Sequence, residues 1–93
     1  MIKSFRDKDT EGIWNREPSK RLSATLQRTT LRKRVAVDGA EALQDLRTPP
    51  GNRLEKLSGS RHGQIRIRIN DQWRICCIWK NGNAHEVEIV DYH

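Results

Sequence analysis

The stretch Gln64-Ile65-Arg66-Ile67-Arg68-Ile69-Asn70-Asp71-Gln72-Trp73-Arg74-Ile75-Cys76-Cys77-Ile78-Trp79-Lys80-Asn81-Gly82 decides the fold. Apolar and charged residues alternate through its first part with a period of two, the pattern of a half-buried strand. Successive side chains of a strand point to opposite sides, so Ile65, Ile67 and Ile69 share one face and Arg66 and Arg68 the other. Asn70-Asp71 reads as a turn, and Asn81-Gly82 is a strong hairpin signal because both residues tolerate positive φ. A further strand, Ala84 to about Asp91, carries Val87 and Ile89 inward. The expectation is a three-strand antiparallel meander. With the isoleucine face buried, Arg74 shares a strand face with Cys76 and Ile78 and comes to lie beside Arg66 and Arg68 on the open side. Like charges do not gather on one sheet face for stability, so this face calls for an anion.

Outward from the meander, Gly59 to Gly63 separates it from an earlier strand, Leu54 to Ser58, and Pro49-Pro50-Gly51-Asn52 is a rigid loop. Ala40 to Leu46 offers a short helical turn. A longer helix starts with Ser23 as N-cap and Leu22 as a staple, and runs to about Val37, where Asp38-Gly39 stops it. Leu26, Thr30 and Val37 lie on one of its sides, with Ala24, Leu31 and Val35 nearly opposite. A helix apolar on two sides is usually covered on both, here by the sheet and a partner. Asp7 to Asn15 reads as a short helix turning Ile13 and Trp14 inward and ending before Pro18. Ile2 to Phe5 is a candidate edge strand. The expected class is α+β, with N-terminal helices on a twisted, mainly antiparallel sheet and residues 1–93 forming one domain.

The chain has 93 residues, 34% of them apolar, and a formal net charge of +6. Nothing approaches the roughly 20 apolar residues of a membrane span, and the first residues lack the apolar stretch of a signal peptide. A cytoplasmic protein is expected. Cys76 and Cys77 are neighbours facing opposite ways, which suits reduced thiols and no disulfide framework. Three scattered histidines without a Cys-x-x-Cys give no expectation of a metal or other cofactor. The basic residues cluster twice: Arg16 to Arg34 holds seven cations against Glu17, and a second group is Arg53, Lys56, Arg61, Arg66, Arg68 and Arg74. Such a field favours a polyanion, although charge alone does not distinguish a binding surface from a solvated one.

Pro49-Pro50-Gly51-Asn52-Arg53-Leu54-Glu55, Gly63-Gln64-Ile65, Ile69-Asn70-Asp71-Gln72-Trp73-Arg74-Ile75 and the close Val87-Glu88-Ile89-Val90-Asp91-Tyr92-His93 resemble HigB toxins of the RelE/ParE superfamily. Met1-Ile2-Lys3-Ser4-Phe5 looks like the family's start as well. The resemblance implies a RelE/ParE-type fold and a toxin of a type II toxin–antitoxin system that cuts mRNA in the ribosomal A site. It also implies neutralisation by a HigA-like helix-turn-helix antitoxin, through which alone the toxin would meet operator DNA. The 70S ribosome, with its mRNA and 16S rRNA, is the implied target.

A metal-free ribonuclease can use the RNA's own 2′-hydroxyl as nucleophile. It then needs a base near that hydroxyl, a cation on the crowded phosphate and an acid for the leaving 5′-oxygen. Arg74 matches the family's strand arginine and is assigned to the phosphate, which a planar guanidinium can grip through two oxygens. The alternative is an arginine paired with Glu86 or Glu88 across the sheet. Asp91, Tyr92 and His93 match the family's C-terminal triplet. His93 titrates near neutrality and suits proton transfer, Tyr92 can stack on a base or orient the phosphate, and Asp91 can hold the histidine. Glu55 is a departure, because some family members carry a histidine in the segment Leu54-Glu55-Lys56-Leu57. It is either a general base or an ordinary salt-bridge acid.

Arg53, Lys56, Arg61, Arg66 and Arg68 are assigned to RNA backbone. His62 and His85 read as surface residues in or near turns, and Trp14, Trp73 and Trp79 as core or interface. The basic helix suits either 16S rRNA or an antitoxin. Two other readings stay open on the same fold: a non-catalytic inhibitor, as ParE-like toxins act on DNA gyrase, and a ribosome-binding module without cleavage.

Overall fold

Asn81 and Gly82 both have left-handed backbone, φ 54° and 75°, the conformation of a two-residue turn whose twist matches the strands it joins. They close the last hairpin of the computed structural model, which describes residues 1–17, 22–61 and 63–91, Arg61 by its backbone alone. Among these residues two helices, α1 (Lys8–Trp14) and α2 (Ala24–Gly39), precede four strands: β1 (Glu55–Lys56), β2 (Gln64–Arg68), β3 (Trp73–Lys80) and β4 (Asn83–Asp91). The strands form one antiparallel sheet in the order β1-β2-β3-β4. The two helices pack on this sheet, the α+β class expected, consistent with RelE-like toxins.

Local chemistry explains the helix starts. Asp7 caps α1 by accepting from the Thr10 N–H at 2.6 Å, and Ser23 caps α2 by accepting from the Leu26 N–H at 3.2 Å. Each satisfies one of the donors that a helix start leaves without a partner. α2 continues through Asp38 to Gly39, two residues past the expected end. Asp38 is occupied there, its carboxylate accepting from the Ile2 N–H at 2.9 Å. The turn expected between Ala40 and Leu46 is a 3-10 turn at Leu43–Arg47, and the proline loop holds another at Pro50–Asn52.

β1 is two residues long, shorter than the expected Leu54 to Ser58. Arg53, in left-handed backbone at φ 46°, bends the chain into it, and Gly59 at φ 66° bends it out. The N-terminal segment forms isolated parallel bridges to β4, Ile2 to Ala84 and Phe5 to Val87, in place of a continuous edge strand. A bulge in β4 is the reason. Cys76 faces Glu88 and Ile78 faces His85, so Glu86 and Val87 together oppose Cys77. Glu86 takes φ 51°, and its N–H turns to the Ser4 hydroxyl at 2.9 Å. Bulges of this kind bend a strand and interrupt its ladder.

Ile65, Ile67, Ile69, Ile75, Cys77, Val87 and Ile89 form the buried sheet face, joined by Ile13, Leu22, Val37 and Leu46. α2 buries Thr30 and Val37 there, while Val35 is 66% exposed on the opposite side. Trp73 is buried, Trp79 packs against the core, and Trp14 joins three elements. Its ring lies 5.2 Å from Phe5, and the Arg34 guanidinium stacks on it at 4.5 Å while donating to the Trp14 carbonyl. Both cysteines lie outside any disulfide and are buried, Cys77 in the core and Cys76 on the other side of the sheet.

Candidate active site

The sheet face turned away from the helices carries two cross-strand rows. Glu55, Arg66, Cys76 and Glu88 stand opposite one another across β1 to β4, and Arg68, Arg74 and Val90 form the next row across β2 to β4. The three arginines foreseen on the open side are therefore neighbours, with Arg68 and Arg74 directly paired. Directly opposed like charges destabilise a sheet, so each guanidinium needs an acceptor.

Those acceptors are local. Arg66 donates to Glu55, and Arg68 to Asp71, whose side chain is 98% exposed at the tip of the β2–β3 turn. Arg74, half-buried, bends back to the same turn and donates to the carbonyls of Asn70 and, at 3.1 Å, Trp73. Asn70 builds the turn: its side-chain oxygen accepts from the N–H groups of Gln72 at 2.9 Å and Trp73 at 2.7 Å. The Arg68 hydrogen bond holds the Asp71 carboxyl below the usual carboxylate range, with Arg68, Arg53 and Arg74 adding to the field. Arg53, Arg68, Arg74 and Asp71 thus act on one another electrostatically at one end of the sheet.

Asp91 closes β4 at that same end. It stands opposite Trp73 and accepts from the Gln72 amide at 3.2 Å. Since Arg74 stands opposite Val90, the register turns Asp91 and Arg74 to opposite faces of the sheet end. Glu55 lies two strands from Arg74 and one row along, roughly 12 Å at the ordinary strand spacing and rise, and Arg66 occupies its carboxylate. Tyr92, His93 and His62 lie outside the described residues, as does the Arg61 side chain. Lys56 is exposed on β1, and His85 is half-buried on β4.

Three residues of this region were not singled out by sequence. Lys33, on α2, is half-buried and donates to the Asn52 side-chain oxygen. Burial pushes its pKa down, and the charges of Arg32 and Arg68 push the same way. Asn52 is 1% exposed and reads in sequence as an ordinary loop residue. Asp71 reads as a turn former, although its spacing of three from Arg68 was a visible signal for an ion pair.

Two helices on a four-strand antiparallel sheet are consistent with a RelE-like toxin, and comparison with known proteins shows that class. The model of the family described as RelE-like toxin of type II toxin-antitoxin system HigB matches residues 3–93. Toxin HigB-1 of Vibrio cholerae is 38% identical over 85 residues, 90% of each chain. An uncharacterized protein of Haemophilus influenzae is 33% identical over 63 residues, 68% of this chain and 60% of that one. The chain belongs to the HigB family of RelE-like toxins, the toxin halves of type II toxin–antitoxin systems, and so has an antitoxin as partner. Among the described residues no helix is long and apolar enough to cross a membrane.

Proposed function

We propose that this toxin is a ribosome-dependent endoribonuclease that cleaves mRNA in the A site by metal-free attack of the RNA 2′-hydroxyl. The observation that carries the reading is the pairing of Arg68 with Arg74 on the open sheet face, one row from Arg66. A phosphodiester laid across that face relieves their mutual repulsion. Charge that develops on the phosphate in the transition state strengthens the contact further. Arg74 is the guanidinium assigned to the scissile phosphate. Proton transfer falls to Tyr92 and His93, and to Glu55 only when Arg66 releases it. Asp91, turned to the other face from Arg74, is assigned to holding the histidine. Arg53, Lys56, Arg61, Arg66 and Arg68 hold the RNA backbone.

The proposed partners are a HigA-like helix-turn-helix antitoxin and the 70S ribosome with its mRNA and 16S rRNA, in the cytoplasm, and the acting unit is one domain. Operator DNA is reached only through the antitoxin. Mapping mRNA 5′ ends after brief induction tests the activity. New ends inside codons are expected. Intact transcripts with arrested replication would place the toxin with gyrase inhibitors instead. The engagement of Glu55 by Arg66 favours a second reading, a ribosome-binding module without cleavage. Salt-dependent ribosome association with undamaged mRNA would select it.

A further inference from the structure

Beside the arginine face, a groove of about 350 Å³ lies between α2 and the end of β2, with Arg32, Lys33, Asn52 and Arg68 among its lining residues. Its polar floor is fixed. The Asn52 amide is fully buried and donates to the carbonyls of Leu46 at 3.1 Å and Thr48 at 3.3 Å. Those two bonds orient the amide and leave its oxygen aimed at Lys33, which donates to it. A neutral oxygen is an insufficient partner for an ammonium that has lost part of its water and stands in the field of two guanidiniums. Arg32, exposed, makes a weak bond of 3.5 Å to the Thr29 hydroxyl in its own helix. Arg68 Nε is buried and has no hydrogen-bond partner among the described residues. The acid at this group, Asp71, is held by Arg68 and stands out in solvent.

We infer that Arg32, Lys33 and Arg68 form a second phosphate-binding subsite for the RNA substrate strand, on the floor fixed by Asn52. The inference rests on the ribonuclease reading and extends it. Arg68 belongs to both sites, because it pairs with Arg74 across the sheet and lines the groove. An RNA strand whose scissile phosphate meets Arg74 thus presents a neighbouring phosphate to Lys33. Asp71 occupies Arg68 when RNA is absent, and the incoming phosphate replaces it there.

The test is binding of a 2′-O-methyl RNA oligomer, which cannot be cleaved, to the full-length toxin over a series of salt concentrations. Lys33→Gln and Arg32→Gln are each expected to weaken binding severalfold. Each should also flatten the plot of log affinity against log salt by about 0.7, the slope associated with one phosphate contact on a single strand. Asp71→Asn is expected to act in the opposite direction and tighten binding, since it removes the competing anion. Inorganic phosphate should compete only weakly, which distinguishes a strand subsite from a free-phosphate site. Lys33→Arg, which keeps the charge, should restore most of the affinity and serves as the control for folding.

The inference is overturned if the wild-type chain binds no oligomer, or if the glutamine variants keep the wild-type slope. A loss seen only with whole ribosomes also overturns it, by assigning the groove to ribosomal RNA. Failure of the cleavage reading looks different, because then in-codon mRNA ends are missing for the wild-type toxin itself.

Discussion

Replacing Arg74 by Lys keeps a positive charge but loses the planar fork that can hold two phosphate oxygens. If Arg74 stabilises transition-state charge, Arg74→Lys and Arg74→Ala should both slow mRNA cleavage by on the order of 10²–10³, the usual effect of losing such a donor. The same residue fastens the β2–β3 turn through the Asn70 and Trp73 carbonyls, so the alanine variant should also lose about 1 kcal/mol of stability. Full toxicity in a folded Arg74→Ala chain would remove this residue from the chemistry. Glu55 calls for the opposite expectation. Its exposed ion pair with Arg66 contributes at most about 1 kcal/mol, and the pair keeps its carboxylate from a 2′-hydroxyl. Glu55→Gln should therefore reduce single-turnover cleavage less than about tenfold, against the 10²–10⁴-fold contribution of a working general base. A loss beyond a hundredfold would return Glu55 to the base role.

The β3–β4 hairpin shows what local sequence can specify and where its reach ends. Asn81-Gly82 was legible because its signal is intrinsic: two adjacent residues that accept positive φ, flanked by alternating apolar positions. Gly82→Ala tests it. At φ 75° a side chain is strained, and the added carbon would sit 3.2 Å from the Glu41 carbonyl. A loss of about 1–2 kcal/mol in chemical denaturation is expected from the backbone alone; an unchanged midpoint would show that the turn relaxes freely. The cap at Ser23 was legible for the same local reason, whereas Asp7, read as the first residue of its helix, is the cap before it. The bulge at Glu86 was not legible, because it depends on the Ser4 hydroxyl, 82 residues away in the chain. Asn52 and Lys33 were missed on similar grounds: a buried amide and the lysine it holds, 19 residues apart, meet only once α2 lies over the proline loop. The arginine face was foreseen because a period of two dictates it. The placing of Asp91 opposite Trp73 depends on pairing register, which no single strand encodes.

At the scale of the molecule, a buried thiol and a half-buried ammonium push stability in opposite directions as the medium turns alkaline. Burial raises the Cys77 thiol from 9.0 to about 12, with Cys76 beside it adding to the shift. A raised pKa means that the folded state keeps a proton which the unfolded state gives up. The stability this contributes is complete below pH 9 and is lost progressively as pH climbs towards 12. Lys33 is lowered, so its unfolded form binds the extra proton, and folding gains as pH rises between its lowered value and 10.5. The thiol has the larger shift and should dominate, giving a decline of about 1 kcal/mol per pH unit above pH 9. Cys77→Val keeps the apolar packing and removes the titration. In urea melts from pH 8 to 10.5 the wild-type midpoint should hold to about pH 9 and fall beyond it, while that of the valine variant should hold level or rise slightly through Lys33. Parallel declines in the two proteins would mean that folding does not raise the Cys77 pKa and that other groups cause the alkaline loss.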